Sequence, residues 1–305
     1  MRAYIVRRLI SLIPVLFIAS VFIFLMIHMV PGEPEVLPGM KNHYGFDKPL
    51  YQQYILWTGK LLKGDLGESI TKPGMSVADL LRKKVGITVQ YVIAAFFVSV
   101  IISLPLGIRM GLHPEGFLAR RFLIFYNGIG FAIPPFWLGI LLILFFAVFL
   151  GILPTSGFRS ILKDPIQSIR YLILPALCGG IPSSVVLTNY ISSSIAEVRS
   201  KEYIVAAIAK GLPDRLIVFK HILKNAFIPV VTIAAVTVGR MMAGAVVIER
   251  VFGIPGLGRL LADAIEARDY AVIQADFLLI VCIVILVNLS ADLLYAWLDP
   301  RIRLD

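Results

Sequence analysis

The most distinctive residue spacing lies in the stretch 197–229, EVRSKEYIVAAIAKGLPDRLIVFKHILKNAFIP. A short helix is predicted to stop at Gly211, because glycine commonly ends helices. Leu212 and Pro213 then form a corner, and Asp214 is predicted to cap a second helix. A rigid helix pair of this kind suits noncovalent docking into the groove of a partner, although an amphipathic hairpin lying on the membrane is the alternative. The first helix carries Tyr203, Ala206, Ala207 and Lys210 at helical spacing, and the second is predicted to have an apolar side of Leu216, Phe219 and Leu223.

Residue patterns for catalysis, nucleotide binding and metal binding are absent from the sequence. No G-x-x-x-x-G-K-[ST] phosphate loop occurs, and the glycine-rich run 253–258 continues into Arg259. The four histidines are scattered without H-E-x-x-H spacing, and the two cysteines, Cys178 and Cys282, lie singly in apolar stretches. The sequence therefore predicts a non-catalytic protein with no metal site and no cofactor of its own.

The composition places the chain in a membrane. Apolar residues make up 58% of its 305 residues and charged residues only 16%, whereas soluble domains average about 45–50% and about 25%. So few polar residues cannot cover a water-soluble fold. The formal charge of +10 fits the Lys and Arg that orient membrane proteins better than it fits nucleic-acid binding.

Six apolar segments reach the roughly 20 residues that a membrane helix needs. Lys and Arg are denser in the connections on the side of both termini, which predicts that the N- and C-termini are cytoplasmic. The basic run 82–84 on the other side is an exception. The predicted spans are 9–30, 88–108, 122–150, 171–195, 226–248 and 276–298.

These spans divide the chain into four regions. Residues 1–30 form an N-terminal segment with the first span, and 31–87 an extracytoplasmic region. Residues 88–298 form a five-helix core that includes the cytoplasmic loop 197–225, and 299–305 a cytoplasmic tail. Within 31–87, a helix capped by Asp47 is predicted to end at Gly64, with Leu50, Tyr54, Trp57 and Leu61 on one side. It would lie on the membrane surface or under a docked partner.

Prolines and polar residues interrupt several spans. Pro134 and Pro135 are predicted to break the third span, and the fourth is predicted to be broken around Pro175, Pro182 and the glycines 179–180. Membrane helices tolerate such breaks where neighbouring helices or water satisfy the backbone. Ser184 and Asn189 on the fourth span either bond across helices or line a polar path.

Arg240 lies well inside the fifth span, where a charge is costly and therefore suggests function. It would either line a path and meet a substrate carboxylate, or pair with Asn288, with Asp276 or with an acid of a partner chain. We include Arg240 and Asn288 among the candidate path residues.

The stretch 197–229 resembles the cytoplasmic "EAA" loop of binding-protein-dependent ABC importer permeases. Ala206, Ala207 and Gly211 match the core of that motif. Val205 stands at the position of the motif's Glu, and 221–225 replaces its Ile-x-Leu-Pro ending. Both departures are similar to the peptide/nickel-type subfamily, whose pattern includes Glu202 and Tyr203 upstream and an ending with His221 and Asn225.

The resemblance continues along the whole chain. Individually weak motifs occur in the order that this subfamily shows, and dipeptide, oligopeptide, glutathione and nickel importers are the most similar groups. The motifs are Arg7-Arg8-Leu9 with Pro14, Pro31-Gly32, Asp47-Lys48-Pro49-Leu50-Tyr51, Gly64-Asp65-Leu66-Gly67, Leu153-Pro154, Glu249, the run 252–258, Arg268-Asp269-Tyr270 and Asp299-Pro300-Arg301.

The resemblance implies a type I ABC importer permease fold in a bacterial inner membrane. It implies a second homologous permease, two cytosolic ATPase subunits that hold ATP and Mg²⁺, and an extracytoplasmic substrate-binding protein as partners. The residues around Ala206, Ala207 and Gly211 would form a coupling helix in an ATPase cleft. A bulky residue at Ala207 or Gly211 is then expected to uncouple ATP turnover from uptake without preventing membrane insertion.

The alternative function is an ion-coupled secondary transporter or channel, which needs no ATPase. A secondary transporter has no use for a rigid helix pair directed at the cytosol, and this feature favours the importer. An intramembrane enzyme is disfavoured, because no nucleophile–base pair or metal-ligand set is present.

Overall fold

The structure is a computed structural model that describes residues 2–29, 48–113 and 117–298. Within these ranges the secondary structure is helical apart from one isolated bridge, Glu68 to Ser76. Two π-helical segments, Ile143–Phe149 and Ile217–Leu223, directly follow the helices Pro135–Leu142 and Asp214–Leu216. The predicted cap at Asp47 and the tail 299–305 lie outside the described residues. The helices are α1 (Arg2–Met29), α2 (Leu50–Leu62), α3 (Val77–Leu112), α4 (Phe117–Ala132), α5 (Pro135–Leu142), α6 (Pro165–Arg199), α7 (Glu202–Ala209), α8 (Asp214–Leu216), α9 (Lys224–Val251), α10 (Leu257–Glu266) and α11 (Tyr270–Leu298).

Among the described residues, five helical stretches are long and apolar enough to cross a bilayer. A sixth span results when α4 and α5 are counted as one bent span. This confirms the all-α membrane class and the positions of the predicted spans, although the helices run past the predicted limits and the boundary at residue 87 falls inside α3. The five stretches are Ile10–Met29, Val77–Leu112, Pro165–Arg199, Asp214–Val251 and Tyr270–Leu294.

The third span is broken where two consecutive prolines were predicted to break it. The helical pieces Leu123–Ala132 and Pro135–Phe149 meet at 101°. Pro134 adopts an extended conformation with φ −61° and ψ 138°, because the ring of a following proline disfavours helical geometry in the preceding residue.

The predicted break in the fourth span is wrong. Pro175 and Pro182 both lie inside α6, which is one helix of 35 residues. The glycines between these prolines serve close packing instead: a Cβ atom on Gly180 would lie 2.8 Å from the carbonyl oxygen of Ala95 on α3. Contact with the adjacent helix α3 lets α6 remain helical at its own two prolines, which is tolerated in membrane helices.

The packing of α3 against α6 is the most extensive between any two described elements. Cβ atoms on Gly107 and Gly111 would lie 2.7 and 2.6 Å from the Cβ atoms of Ile191 and Ile195, which are both buried. Small residues four apart let two membrane helices approach closely. Because α6 leads directly into α7, this contact also fixes the position of the segment that follows α6.

The helix predicted in the region 31–87 is α2, and it packs on α1. Tyr54 Oη lies 2.9 Å from Ser20 Oγ, and the rings of Trp57 and Phe24 stack with centroids 6.1 Å apart. The chain turns beyond α2 at Gly64, whose φ is +78°. Both environments considered for α2, the membrane surface and a docked partner, stay predictions.

Candidate functional site

The segment between α6 and α9, residues 202–223, is called the elbow here. It comprises α7, a corner at 210–213, α8 and the π-helical segment Ile217–Leu223. Most of its side chains are exposed to solvent. Those buried against the rest of the chain are Ile204, Ala207, Ile217, Ile222 and Leu223.

The corner of the elbow is fixed by backbone hydrogen bonds. Gly211 has a φ of +71°, its N–H donates to Ile208 O at 2.9 Å, and the N–H of Leu212 donates to Ala207 O at 3.4 Å. These are the two hydrogen bonds of a Schellman motif, in which glycine takes the left-handed position. The predicted helix stop at Gly211 is therefore confirmed.

The predicted cap of the second helix is wrong. Pro213, in an extended conformation, occupies the capping position, and Asp214 is the first helical residue. The carbonyl of Pro213 accepts hydrogen bonds from the N–H groups of Leu216 and Ile217. The backbone therefore starts this helix without a side-chain cap.

The predicted apolar side of the second helix is also partly wrong. Leu223 is buried as expected, but Leu216 and Phe219 are 38% and 69% exposed. The buried pair is Ile217 and Ile222, five residues apart. A π-helix brings residues i and i+5 to one side, and the α-helical spacing assumed from the sequence could not show this.

The exposed apolar residues of the elbow form a surface that we call the elbow patch. Exposed basic side chains alternate with its members along the chain, at 201, 210, 215 and 220. Ala206, which matches the family motif, is exposed on the same helix, whereas Ala207 faces the protein interior with 7% exposure. Exposed apolar patches rimmed by polar residues mark interaction sites. The patch consists of Tyr203, Val205, Ile208, Leu216 and Phe219.

Predicted site residues also hold the elbow to α9. Asn225 Nδ2 donates to Tyr203 Oη at 3.3 Å and to the carbonyl of His221 at 2.7 Å. The structure thus brings three of the predicted coupling residues together. Of the others, Glu202 and Pro213 are exposed, and Leu212 is partly buried.

Two positioning residues were missed by the sequence analysis. Ser194 Oγ on α6 donates to the carbonyl of Ala226 on α9 at 2.8 Å, and the Arg199 guanidinium donates to the carbonyls of Gly111 and Leu112 at the end of α3. The first bond joins the two helices that flank the elbow, and the other two join α6 to α3. The position of Arg199 in the last turn before the elbow was the available signal, because basic residues often bind helix C-terminal carbonyls.

Two of the predicted path residues bond across helices. Ser184 is fully buried, and its Oγ lies 2.6 Å from Tyr126 Oη on α4. Asn189 exchanges hydrogen bonds of 3.0 and 3.3 Å with Asn127, also on α4. These bonds hold the bent third span against α6. A role for either residue in a path stays a prediction.

Arg240 lies on an exposed stripe of α9. Within the described part of the chain its guanidinium has no hydrogen bond or ion pair, so the pairing with Asn288 or Asp276 considered above is not formed. Asn288 is exposed on the adjacent α11. The exposed side chains in line with Arg240 are small or β-branched: Val236, Ala243, Gly244 and Val247.

Two buried carboxylates organise the end of the bundle opposite the elbow, called the far end here. Asp269 accepts hydrogen bonds from the backbone N–H groups of residues 70, 71 and 272 and from the hydroxyls of Ser69 and Thr71. Glu249 accepts from Thr88 Oγ1 at 2.5 Å and from the N–H of Arg259 at 2.9 Å. A carboxylate removed from water needs such donors.

A third buried carboxylate contrasts with these two. Asp276 is fully buried, and neither of its side-chain oxygens has a hydrogen-bond partner among the described residues. An unpaired buried charge is costly, so Asp276→Asn is expected to leave the thermal midpoint of the purified protein unchanged or raised. Asp269→Asn is the matched comparison and is expected to lower that midpoint, since an amide NH₂ would face donors and cost about 1–3 kcal/mol. If Asp276→Asn lowers the midpoint as much as Asp269→Asn does, the carboxylate of Asp276 has a stabilising partner.

Comparison with known proteins decides the family. The sequence pattern of the family described as "Binding-protein-dependent transport system inner membrane component" matches residues 103–304. The chain belongs to this family. It is therefore the inner-membrane permease component of a binding-protein-dependent importer.

Curated relatives match along the whole permease. The probable peptide ABC transporter permease protein y4tP of Sinorhizobium fredii is 34% identical over 314 residues, covering 99% of this chain and 100% of the relative. The oligopeptide transport system permease protein AppB of Bacillus subtilis is 35% identical with the same coverage. The glutathione transport system permease protein GsiC of Escherichia coli K12 is 38% identical over 312 residues, covering 98% of both chains. This agrees with the predicted peptide-type subfamily.

A solved structure shows the same fold. The inward-facing MetNI methionine ABC transporter matches with a TM-score of 0.59 and 20% identity, covering 72% of this chain and 96% of that one. The permease therefore has the type I ABC importer fold that the resemblance implied.

Proposed function

We propose that this permease forms, with a second homologous permease, the path by which small peptides or related solutes such as glutathione enter the cell. An extracytoplasmic binding protein delivers the solute at the far end, and two cytosolic ATPases bind at the elbow. The peptide and glutathione names of the relatives support the solute class. ATP and Mg²⁺ belong to the ATPase subunits.

The observation that carries the coupling role is the elbow patch. It comprises five exposed apolar side chains, Ala206 is exposed on the same segment, and this small alanine allows a partner surface to approach closely. The elbow is rigid because of its Schellman corner and the hydrogen bond from Asn225 to Tyr203. A rigid element transmits the movement of a bound ATPase to α6 and α9, which flank it.

Coupling requires each ligand to distinguish the two states of the assembly. ATP on the ATPases and the loaded binding protein at the far end must both bind the outward-open state more tightly, since a ligand shifts an equilibrium only by its differential affinity. The elbow and the far end are joined by the long helices α3, α6 and α9, so a tilt of these helices would affect both sites.

The proposed function is tested by reconstitution. The permease pair, the ATPases and the binding protein in liposomes are expected to take up labelled peptide only when ATP is present on the ATPase side. Uptake by the permease pair alone, driven by an ion gradient, would instead establish the secondary transporter. Competition among dipeptide, longer peptide, glutathione and a nickel chelate in this assay would identify the solute.

Arg240 is expected to contribute to the path. A guanidinium inside a span needs water or an anion, and a peptide carboxylate would supply the anion. Arg240→Ala is expected to lower uptake at least about tenfold, the usual effect of losing a hydrogen bond to a charged group, while Val236→Ala on the same stripe retains uptake. Arg240→Ala with normal uptake and normal assembly would remove Arg240 from the path.

A further inference from the structure

A cavity of about 430 Å³ lies at the far end of the permease. It opens between the loop 69–72, the first turns of α3 and the start of α10. Three cationic side chains line it, Lys72, Lys84 and Arg259, together with the carboxylates of Asp263 and Asp269. We call it the cationic cavity.

The two carboxylates of the cavity are already engaged. Asp269 is 1% exposed and accepts the hydrogen bonds from residues 69–71 and 272 described above. Asp263 Oδ1 lies 2.8 Å from Arg250 Nη1, and its Oδ2 lies 3.7 Å from Arg259 Nε. Neither carboxylate forms an ion pair with Lys72 or Lys84.

The lysines are the unsatisfied groups of the cavity. Within the described ranges, neither Lys72 nor Lys84 has a carboxylate oxygen within 4.0 Å of its ammonium. Lys84 is partly buried, and two further cations, Lys72 and Arg259, line the same cavity. An anion placed in the cavity would relieve the repulsion among the three cations and pair with both lysines.

We propose that the cationic cavity receives an Asp or Glu side chain of the extracytoplasmic binding protein during docking. This inference rests on the proposed function, which places that protein at the far end. Charge complementarity carries it: the cavity offers two free ammonium groups at the surface where the partner arrives. Complementary charges at an interface steer association and fix its register.

The test uses the assembled transporter in nanodiscs and the purified binding protein that stimulates its ATPase activity. Lys84→Gln and the double variant Lys72→Gln/Lys84→Gln are expected to slow binding-protein association at low salt by about three- to tenfold, with a weaker salt dependence. Lys83→Gln is the matched control, because Lys83 is exposed next to Lys84 and does not line the cavity. ATPase activity without binding protein should be the same in all variants.

Two outcomes would overturn the inference. In the first, Lys84→Gln associates as fast as Lys83→Gln. In the second, association is unchanged but the substrate concentration for half-maximal uptake rises, which would mean that the cavity holds a substrate carboxylate. The inference would be supported if the association lost in a Lys84→Glu variant is restored when an Asp or Glu of the binding protein is replaced with Lys. If no binding protein stimulates the wild-type assembly, the proposed function fails instead.

Discussion

Replacing Ala206 with phenylalanine is expected to abolish uptake while leaving the permease folded in the membrane. Ala206 is exposed beside the elbow patch, so a ring there would project outward and keep a partner surface from closing on the elbow. We expect the ATPases to stop co-purifying with the permease and uptake to fall at least about tenfold, as for a lost interface anchor. Thermal midpoint, co-purification and uptake are the measurements.

Two comparison variants make this result specific. Ala78→Phe introduces the same ring at an exposed alanine of the far end and should retain the ATPases. Ala207→Phe crowds the core beside Ile204, where overpacking costs about 1–3 kcal/mol, so the thermal midpoint should fall. The sequence assigned Ala207 to the partner contact, and the structure places it in the interior instead. Normal uptake by Ala206→Phe would mean that the elbow does not seat in an ATPase.

Replacing Gly256 with alanine is expected to unfold the far end. A Cβ atom there would overlap the Glu249 carboxylate and lie 2.5 Å from Thr88 Oγ1. The carboxylate would lose its hydrogen bonds from Thr88 and Arg259, and a buried polar network broken in this way costs about 3 kcal/mol or more. Loss of monodisperse protein or a large drop in thermal midpoint is the expected measurement.

Gly59→Ala is the matched control for this substitution. Gly59 lies inside α2 with no atom within 4 Å of its Cβ position, so alanine should stabilise α2 slightly, by up to about 1 kcal/mol. Thr88→Ala offers a graded version, because it removes the hydroxyl that donates to Glu249 and adds no atom. If Gly256→Ala is as stable as Gly59→Ala, the Glu249 cluster does not hold the far end together.

The sequence predicted the parts of the fold that depend on local composition. Long apolar runs predicted the spans, Pro134 and Pro135 predicted the 101° bend, and Gly211 predicted the corner of the elbow. Local composition gave a wrong prediction at Pro175 and Pro182. Proline there signalled a break, but close packing of α3 on the intervening glycines keeps α6 continuous.

The sequence located the helix–corner–helix segment but not the orientation of its side chains. The motif located the elbow and the pairing residues Tyr203 and Asn225, yet it could not show that Ala206 faces outward and Ala207 inward. The π-helical turn that buries Ile217 and Ile222 arises from packing against the bundle, and it changes which apolar side chains remain exposed for a partner.

By itself the sequence determined that this chain is a helical membrane protein with five or six spans and a sharp corner at Gly211, because span length and helix stops are properties of neighbouring residues. Only the tertiary structure decided which residues meet across long separations. Asp269 binds residues about 200 positions earlier, and Glu249 binds Thr88 161 positions earlier. The cationic cavity likewise joins Lys72 and Lys84 to Arg259. Such pairings depend on how helices pack, and local spacing carries no information about them.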